Sequence, residues 1–498
     1  MPQDKNAVDA KDVSVDKLLI SLPSTFRSVL GAIDGNMLGI VFVVDANRRL
    51  VGSITDGDIR RSLLAGAEVE DEILQTSAVY NHSPRWLPVA CNIQDVWALL
   101  DQGFRCIPLL DASHRIVDIA TRNRVRRFPV AQPEIGEQEL SNLIECATTG
   151  WISSQGPYIV QFEKAFNEYL GGGHAVAVSN GTVALQLGLA ALGIGRGDEV
   201  IVPDFTFGAS VNAIIHSGAT PVLVDVDRRT WTLDLDEIRS AITSRTKAIL
   251  PVHIYGQPAR MDEIREIAVA NSLLIIEDCA EALGAEYKKR RVGLDGNCAC
   301  FSFFANKLIT TGEGGMVVFP HPEIAGRARA LRDHGFMPTR RYWHEYSGFN
   351  FRMTNMQAAI GVAQMGRIED LRARRKALFE RYDRLLAGCR NLSFLPRNDW
   401  SENSYWLYTV LVNDIGEDAR DRLIMHLSER GLDTRPGFYP MHVMKPYSEF
   451  GKGSFPVSTY LAANSISLPT SPGLSEYELR HIAHVFLDEL GHVCSKVS

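Results

Sequence analysis

No stretch of this 498-residue chain approaches the roughly 18 consecutive apolar residues of a membrane-spanning helix. The opening Met1-Pro2-Gln3-Asp4-Lys5-Asn6 lacks the apolar run of a secretory leader, so a cytoplasmic protein is expected. Basic charge is also short. Its 52 Lys and Arg against 59 Asp and Glu leave a net charge of -7, with no footprint for nucleic acid. The eight cysteines are scattered, and Cys106, Cys146 and Cys279 stand in apolar surroundings. The one close pair, Cys298 and Cys300, has no second pair to complete a zinc site, so reduced thiols and no metal are expected. What is present is 45% hydrophobic and 22% charged residues, a globular composition, at a length that calls for two or three domains.

The first part of the chain repeats itself. The run from Val41 to Val51, with its Asp45-Ala46-Asn47-Arg48 turn, recurs from Ile107 to Val117, with Asp111-Ala112-Ser113-His114. Each copy passes a threonine (Thr55, Thr121) and reaches an arginine pair (Arg60-Arg61, Arg126-Arg127). Strand, turn, strand and helix in each copy predict two stacked βαββα units, neither able to bury its sheet alone. Residues 15 to 130 resemble a tandem pair of CBS domains, a Bateman module. The resemblance implies that the turn Thr55-Asp56-Gly57-Asp58 contacts the ribose of an adenine nucleotide, for which a carboxylate offers two acceptors. The second copy carries Arg122 and Arg124 in place of Asp56 and Asp58, so one nucleotide site or none is expected. A docking module that binds nothing is the alternative.

Phe128 to Pro133 reads as a linker, which sets a first domain over 1–133. From Glu134 short apolar strands alternate with helical patterns: His174–Val178, a helix over Val183–Leu192, then strands at 199, 221 and 248. This order predicts parallel crossovers and a sheet covered on both faces. The alternation weakens after 375, which predicts a large domain over 134–375 and a smaller α/β domain over 376–498, with Leu407–Val412 as its clearest strand. Gly193, Gly195 and Gly197 follow a helix and precede a strand, the reverse of a dinucleotide fingerprint, and read as a loop.

The chemistry concentrates in two strand ends. The apolar run Leu273-Leu274-Ile275-Ile276-Glu277-Asp278 closes on an acid, and Lys307 follows Ser302-Phe303-Phe304-Ala305-Asn306. A pyridoxal phosphate (PLP) enzyme needs this pair: the lysine amine joins the cofactor aldehyde, and the aspartate keeps the pyridine nitrogen protonated. Ser179-Asn180-Gly181-Thr182 adds a glycine turn at a helix start, where free N–H groups suit a phosphate, and Ser302 offers another donor. Taken singly, Lys307 reads as a solvated edge lysine, Asp278 as a cap, and Phe207 as core. In this order they specify PLP chemistry.

These residues, with Gly150–Ser154, Pro251–Gly256, Ile276–Ala282 and Gly348–Asn355, resemble the DegT/DnrJ/EryC1/StrS family of sugar aminotransferases over residues 135 to 495. The resemblance implies a fold-type-I PLP architecture, with Lys307 bound to the cofactor and Asp278 on the pyridinium. It implies Phe207 stacked on the ring, Gly181, Thr182 and Ser302 on the phosphate, and Glu281 beside the cofactor. Asn350 would reach in from a partner subunit, which makes a homodimer part of the site. Tyr342–Glu345, Asp433–Pro436 and Phe438–Pro440 narrow the resemblance to members that move the amine of L-glutamate to C4 of GDP-4-keto-6-deoxy-D-mannose. A UDP- or dTDP-keto-sugar stays open. Arg435 and His442 are candidates for the substrate pocket, or else they brace loops. A different class of reading makes the chain an adenine-nucleotide sensor, with the aminotransferase body as scaffold.

Overall fold

The computed structural model describes residues 14–494, with Gln75, Ala90, Asn92, 122–127 and Pro338 set aside. Arg122, Arg124 and the Arg126-Arg127 pair therefore lie outside the described residues. The chain makes two compact units. One runs to Phe128 and takes in Glu429–Gly431; the other comprises Pro129–Ser428 and the chain from Leu432 onward.

The first unit carries its repeat into structure. A short strand β1 (Leu19–Ile20), a helix α1 (Phe26–Asn36) and a hairpin of β2 (Ile40–Val44) and β3 (Leu50–Thr55) make the first copy. The helix α2 (Asp56–Leu64) follows it. The second copy has β4 (Leu87–Pro88), α3 (Ile93–Asp101), β5 (Ile107–Leu110) and β6 (Ile116–Ala120). In both, the short strand pairs parallel with the first hairpin strand, and the hairpin is antiparallel. Leu18, Phe42 and Val44 share one buried cluster with Cys106, Leu110, Ile116 and Ile119, so each copy's apolar face is closed by the other.

The second unit is built on a seven-stranded sheet. Its elements in chain order are α4 (Glu137–Thr149), α5 (Pro157–Leu170), β7 (His174–Val178), α6 (Gly181–Ala191), β8 (Glu199–Pro203), α7 (Gly208–Ser217), β9 (Thr220–Val224), β10 (Thr246–Ile249), β11 (Leu274–Asp278), β12 (Cys298–Ser302) and β13 (Gly315–Phe319). The strand order is β9-β8-β10-β11-β12-β13-β7, and only β13 runs against the rest. Six strands therefore end at one edge of the sheet, the edge where α/β folds collect their ligands. The strand residues are almost wholly buried and apolar, as a sheet covered on both faces requires. Phe162 and Phe166 of α5 pack on Phe301 and Phe303 within 5.0–5.7 Å. Phe303 is thereby sunk in the core while its neighbours Ser302 and Phe304 turn outward.

Helices α8 (Asn355–Met365) and α9 (Ile368–Leu386) lead to a four-stranded sheet in the order β14-β15-β17-β16. These strands are β14 (Leu392–Phe394), β15 (Tyr408–Val412), β16 (Arg435–Pro436) and β17 (Ser465–Leu468). Position 375, where the sequence separates a large from a small domain, lies inside α9. The expected linker differs from a free tether. Val130 is buried, its N–H donates to Asp433 Oδ2 (3.3 Å), its carbonyl accepts from Thr470 N–H (2.7 Å), and Gln132 N–H donates to Ser471 Oγ (2.9 Å). An apolar side chain in the middle of the strip supplies the reason: Val130 is worth burying, and its backbone groups then need partners.

Candidate active site

The ends of β7, β8, β11 and β12 bring the site together. After β7 the chain turns into α6, whose N-cap Asn180 accepts from Val183 N–H (3.0 Å). The amides of Gly181 and Thr182 stand in the first turn, where a helix has no internal acceptors to offer them. Gly181 lies against Ser302: a Cβ on it would come 2.7 Å from the serine Cβ. Gly315 lies against Asn180, whose carbonyl oxygen would be 2.5 Å from an added Cβ. Two glycines thus let three chain segments close around an amide-lined, hydroxyl-bearing cradle. A phosphate monoester is the ligand this donor set fits.

Asp278 closes β11 and is buried. Its Oδ2 accepts from Ser210 Oγ (2.7 Å), itself 3.0 Å from Thr206 Oγ1, and its Oδ1 accepts from Ala280 N–H (3.1 Å). Burial pushes the carboxyl up, against the Ser210 hydroxyl, the Ala280 amide and the nearby Lys307 and His253. A buried carboxylate raised in this way suits a cationic partner, as a protonated pyridine nitrogen would be. Glu281, one turn on, accepts Tyr255 N–H at Oε2 (2.6 Å) and is pushed up to about 7, first by burial. Lys307 is partly exposed and held below the ordinary lysine value by desolvation, although Glu281 and then Asp278 pull it upward. Its Nζ sits 3.6 Å from the centroid of the Trp406 ring. The Phe207 ring, at the start of α7, is 61% exposed and 5.9 Å from Phe438. A planar ligand has a free aromatic face there.

Among the remaining expected residues, Asn350 is exposed and accepts from Arg352 Nε (3.0 Å). Arg435 is exposed and pairs with Asp433. His442 spends Nδ1 and its backbone N–H on the buried carboxylate of Asp204 (2.7 and 2.8 Å), and its ring stacks on Phe455. In the first unit Thr55 and Asp58 close a capping box on α2, Asp56 pairs with Arg60, and Asp58 with Arg61 (2.5 Å). Helix capping by itself accounts for the Thr55-Asp56-Gly57-Asp58 wording.

Three residues at the site escaped the sequence, and a fourth, Tyr255, reads there only as part of the Pro251–Gly256 motif, with no role. Ser210 supports Asp278, and Trp406 covers Lys307. Tyr255 holds Glu281 from a left-handed backbone (φ 48°) and stacks on Phe438 at 5.2 Å. Arg375 donates to the carbonyls of Lys307 (3.0 Å) and Trp406 (2.9 Å). Only the positive φ of a tyrosine carries a general signal of function, and it is visible in coordinates alone.

The DegT/DnrJ/EryC1/StrS aminotransferase family model matches residues 133–487. A GDP-perosamine synthase of Caulobacter vibrioides is 46% identical over 357 residues, 72% of this chain and 96% of its own length. One from Escherichia coli O157:H7 is 42% identical over 358 residues, covering 72% and 97%. Among solved structures, the PLP form of the putative sugar aminotransferase Spr1654 from Streptococcus pneumoniae aligns with a TM-score of 0.71 at 30% identity, covering 74% of this chain and 99% of its own.

Proposed function

The chain belongs to the DegT/DnrJ/EryC1/StrS aminotransferase family, and from that membership we propose that it moves the amino group of L-glutamate to the C4 keto group of a nucleotide-linked 4-keto-6-deoxy sugar. GDP-4-keto-6-deoxy-D-mannose, giving GDP-perosamine, is the substrate we favour. Relatives bearing the name GDP-perosamine synthase, similar over nearly their whole length, support it. The observation that carries the reaction class is Lys307, its Nζ 3.6 Å from the Trp406 ring centre, desolvated, within electrostatic reach of the buried Asp278 and Glu281, and on the loop that follows Ser302 of the cradle.

Bound PLP supplies an electron sink and a place to hold the amino group between the two substrates. The α6 amides, Thr182 and Ser302 bind its phosphate. Asp278 would keep the ring nitrogen protonated, its carboxylate held in place by Ser210 and Ala280. Phe207 offers the face on which the ring lies. Lys307 Nζ, whose hold on a proton desolvation lowers, would take the proton from the reacting carbon and return it on the other side of the amino nitrogen. Glu281, buried and held by Tyr255 N–H, acts on that amine through its charge.

A homodimer belongs to the same reading. Leu140 and Ile144 on α4, Trp151 and Ile152 beyond it, and Val160 on α5 are all exposed, an apolar set of the kind a subunit interface covers. The repeated topology of the first unit supports a tandem CBS pair there.

The test is an absorbance spectrum with added PLP. The expected band shifts to that of the amino form of the cofactor with L-glutamate, returns with GDP-4-keto-6-deoxy-D-mannose, and is missing in Lys307→Ala. Return only with a UDP- or dTDP-keto-sugar would replace the substrate and keep the reaction. No band in the wild type would end the enzymatic reading of Lys307.

A further inference from the structure

Helix α9 carries several arginines, and most of them meet an acid. Arg372 pairs with Glu402, Arg374 with Glu134 and Asp370, and Arg381 with Glu476. Arg375 does not. It is 2% exposed, and among the described residues no carboxylate lies within ion-pair distance of it. Its guanidinium forks instead between two backbone carbonyls, those of Lys307 and Trp406. An unpaired buried charge is costly, and carbonyl dipoles repay only part of the lost hydration. Such a group is retained where its charge has a use.

The use follows from what surrounds Lys307. Glu281 and Asp278 both favour its protonated form, and so does the π face of Trp406. All three lie on segments that pack around the amine, and an ammonium cannot accept a proton from carbon. Desolvation opposes them, and so does the charge of Arg375, whose guanidinium sits on the carbonyl of Lys307 itself (3.0 Å). His253, the remaining titratable neighbour, acts on Asp278; its Nδ1 accepts from Ala259 N–H (2.9 Å) and its Nε2 donates to Glu277 (3.2 Å).

We propose that Arg375 is a positioning residue whose buried, acid-free positive charge, fixed on the carbonyls of Lys307 and Trp406, biases the catalytic amine away from its protonated form against Glu281 and Asp278. This rests on the reading of Lys307 given above.

The test uses the full chain without cofactor. Trace acetic anhydride labels amines from pH 6 to 11, and peptide mass spectrometry follows Lys307 against exposed lysines. With Arg375→Gln the midpoint for Lys307 is expected to rise by about one pH unit, or about tenfold lower reactivity near pH 8. Arg375→Lys, which keeps the charge, should leave the midpoint near that of the wild type. Midpoints unmoved in Arg375→Gln, or moved equally in both variants, overturn the proposal, since a backbone clamp alone predicts either. If Arg375→Gln does not fold, a raised midpoint in Arg375→Lys still overturns it, and an unmoved one with Arg375→Met raised supports it. Borohydride trapping of added PLP separates the two readings. Wild-type protein that traps none on Lys307 defeats the role of the lysine itself.

Discussion

The Nζ of Lys307 lies 3.6 Å from the centre of the Trp406 indole, whose Nε1 donates to Asn306 O at 3.0 Å. One side chain from the segment that leads into β15 thus covers the reactive amine and pins the loop that carries it. Trp406→Leu removes both contacts. A cation–π contact of this kind contributes about 0.5–2 kcal/mol, so the variant's Lys307 should titrate lower and its cofactor band should depend differently on pH. A spectrum superimposable on the wild type at every pH would refute this.

Asp278 depends on a hydroxyl chain that begins at Thr206 and passes through Ser210. Ser210→Ala leaves one buried carboxylate oxygen without that donor, at a cost of about 1–3 kcal/mol. Weaker retention of PLP on dialysis is expected, together with lower stability to urea. Retention equal to wild type would show that Ala280 alone suffices.

Glu281 gives a pH signature with a definite sign. Its folded value of about 7 exceeds the ordinary 4.5, so the folded state holds a proton that the unfolded chain releases. That contribution is present below about pH 4.5 and is lost as pH rises through about 7. Glu281→Gln has no such proton to lose. In cofactor-free protein the difference in Tm should move in the variant's favour between these limits, and a constant difference would exclude the raised carboxyl.

His442 and Asp204 offer a split between binding and bracing. The imidazole is committed to a buried carboxylate and stacked on Phe455. His442→Ala should lower stability by about 1–3 kcal/mol and leave KM for the nucleotide sugar near its original value. A large KM effect with unchanged stability would return His442 to the substrate pocket.

Phe303→Ala tests the anchoring of the loop. The ring packs on Phe162 and Phe166, and its loss is expected to cost about 3–5 kcal/mol. A loss below about 1 kcal/mol would mean that the loop is held elsewhere.

Strand ends were legible because they are local. Asp278, Ser302 and Gly181 each follow or open an element whose apolar pattern is contiguous in sequence, and one sheet edge then gathers them. Arg375 and Trp406 come from segments about 70 and 100 residues beyond Lys307, and no periodicity marks them for it. The strip at Val130 read as a tether because Pro129 and Pro133 flank it, and its partners lie some 300 residues away. The box at Thr55 and Asp58 is written in four consecutive residues, so its capping geometry was available, while any ligand for it was not.

The first unit includes Glu429–Gly431, and Phe128 N–H donates to Gly431 O at 2.9 Å. On a ribosome this unit emerges first yet lacks its last three residues until most of the chain has followed. At about 5–20 residues per second the delay is on the order of tens of seconds. The N-terminal unit therefore waits, incomplete, for translation to pass residue 431, when the seven-stranded sheet of the second unit has been made but β16 and β17 have not.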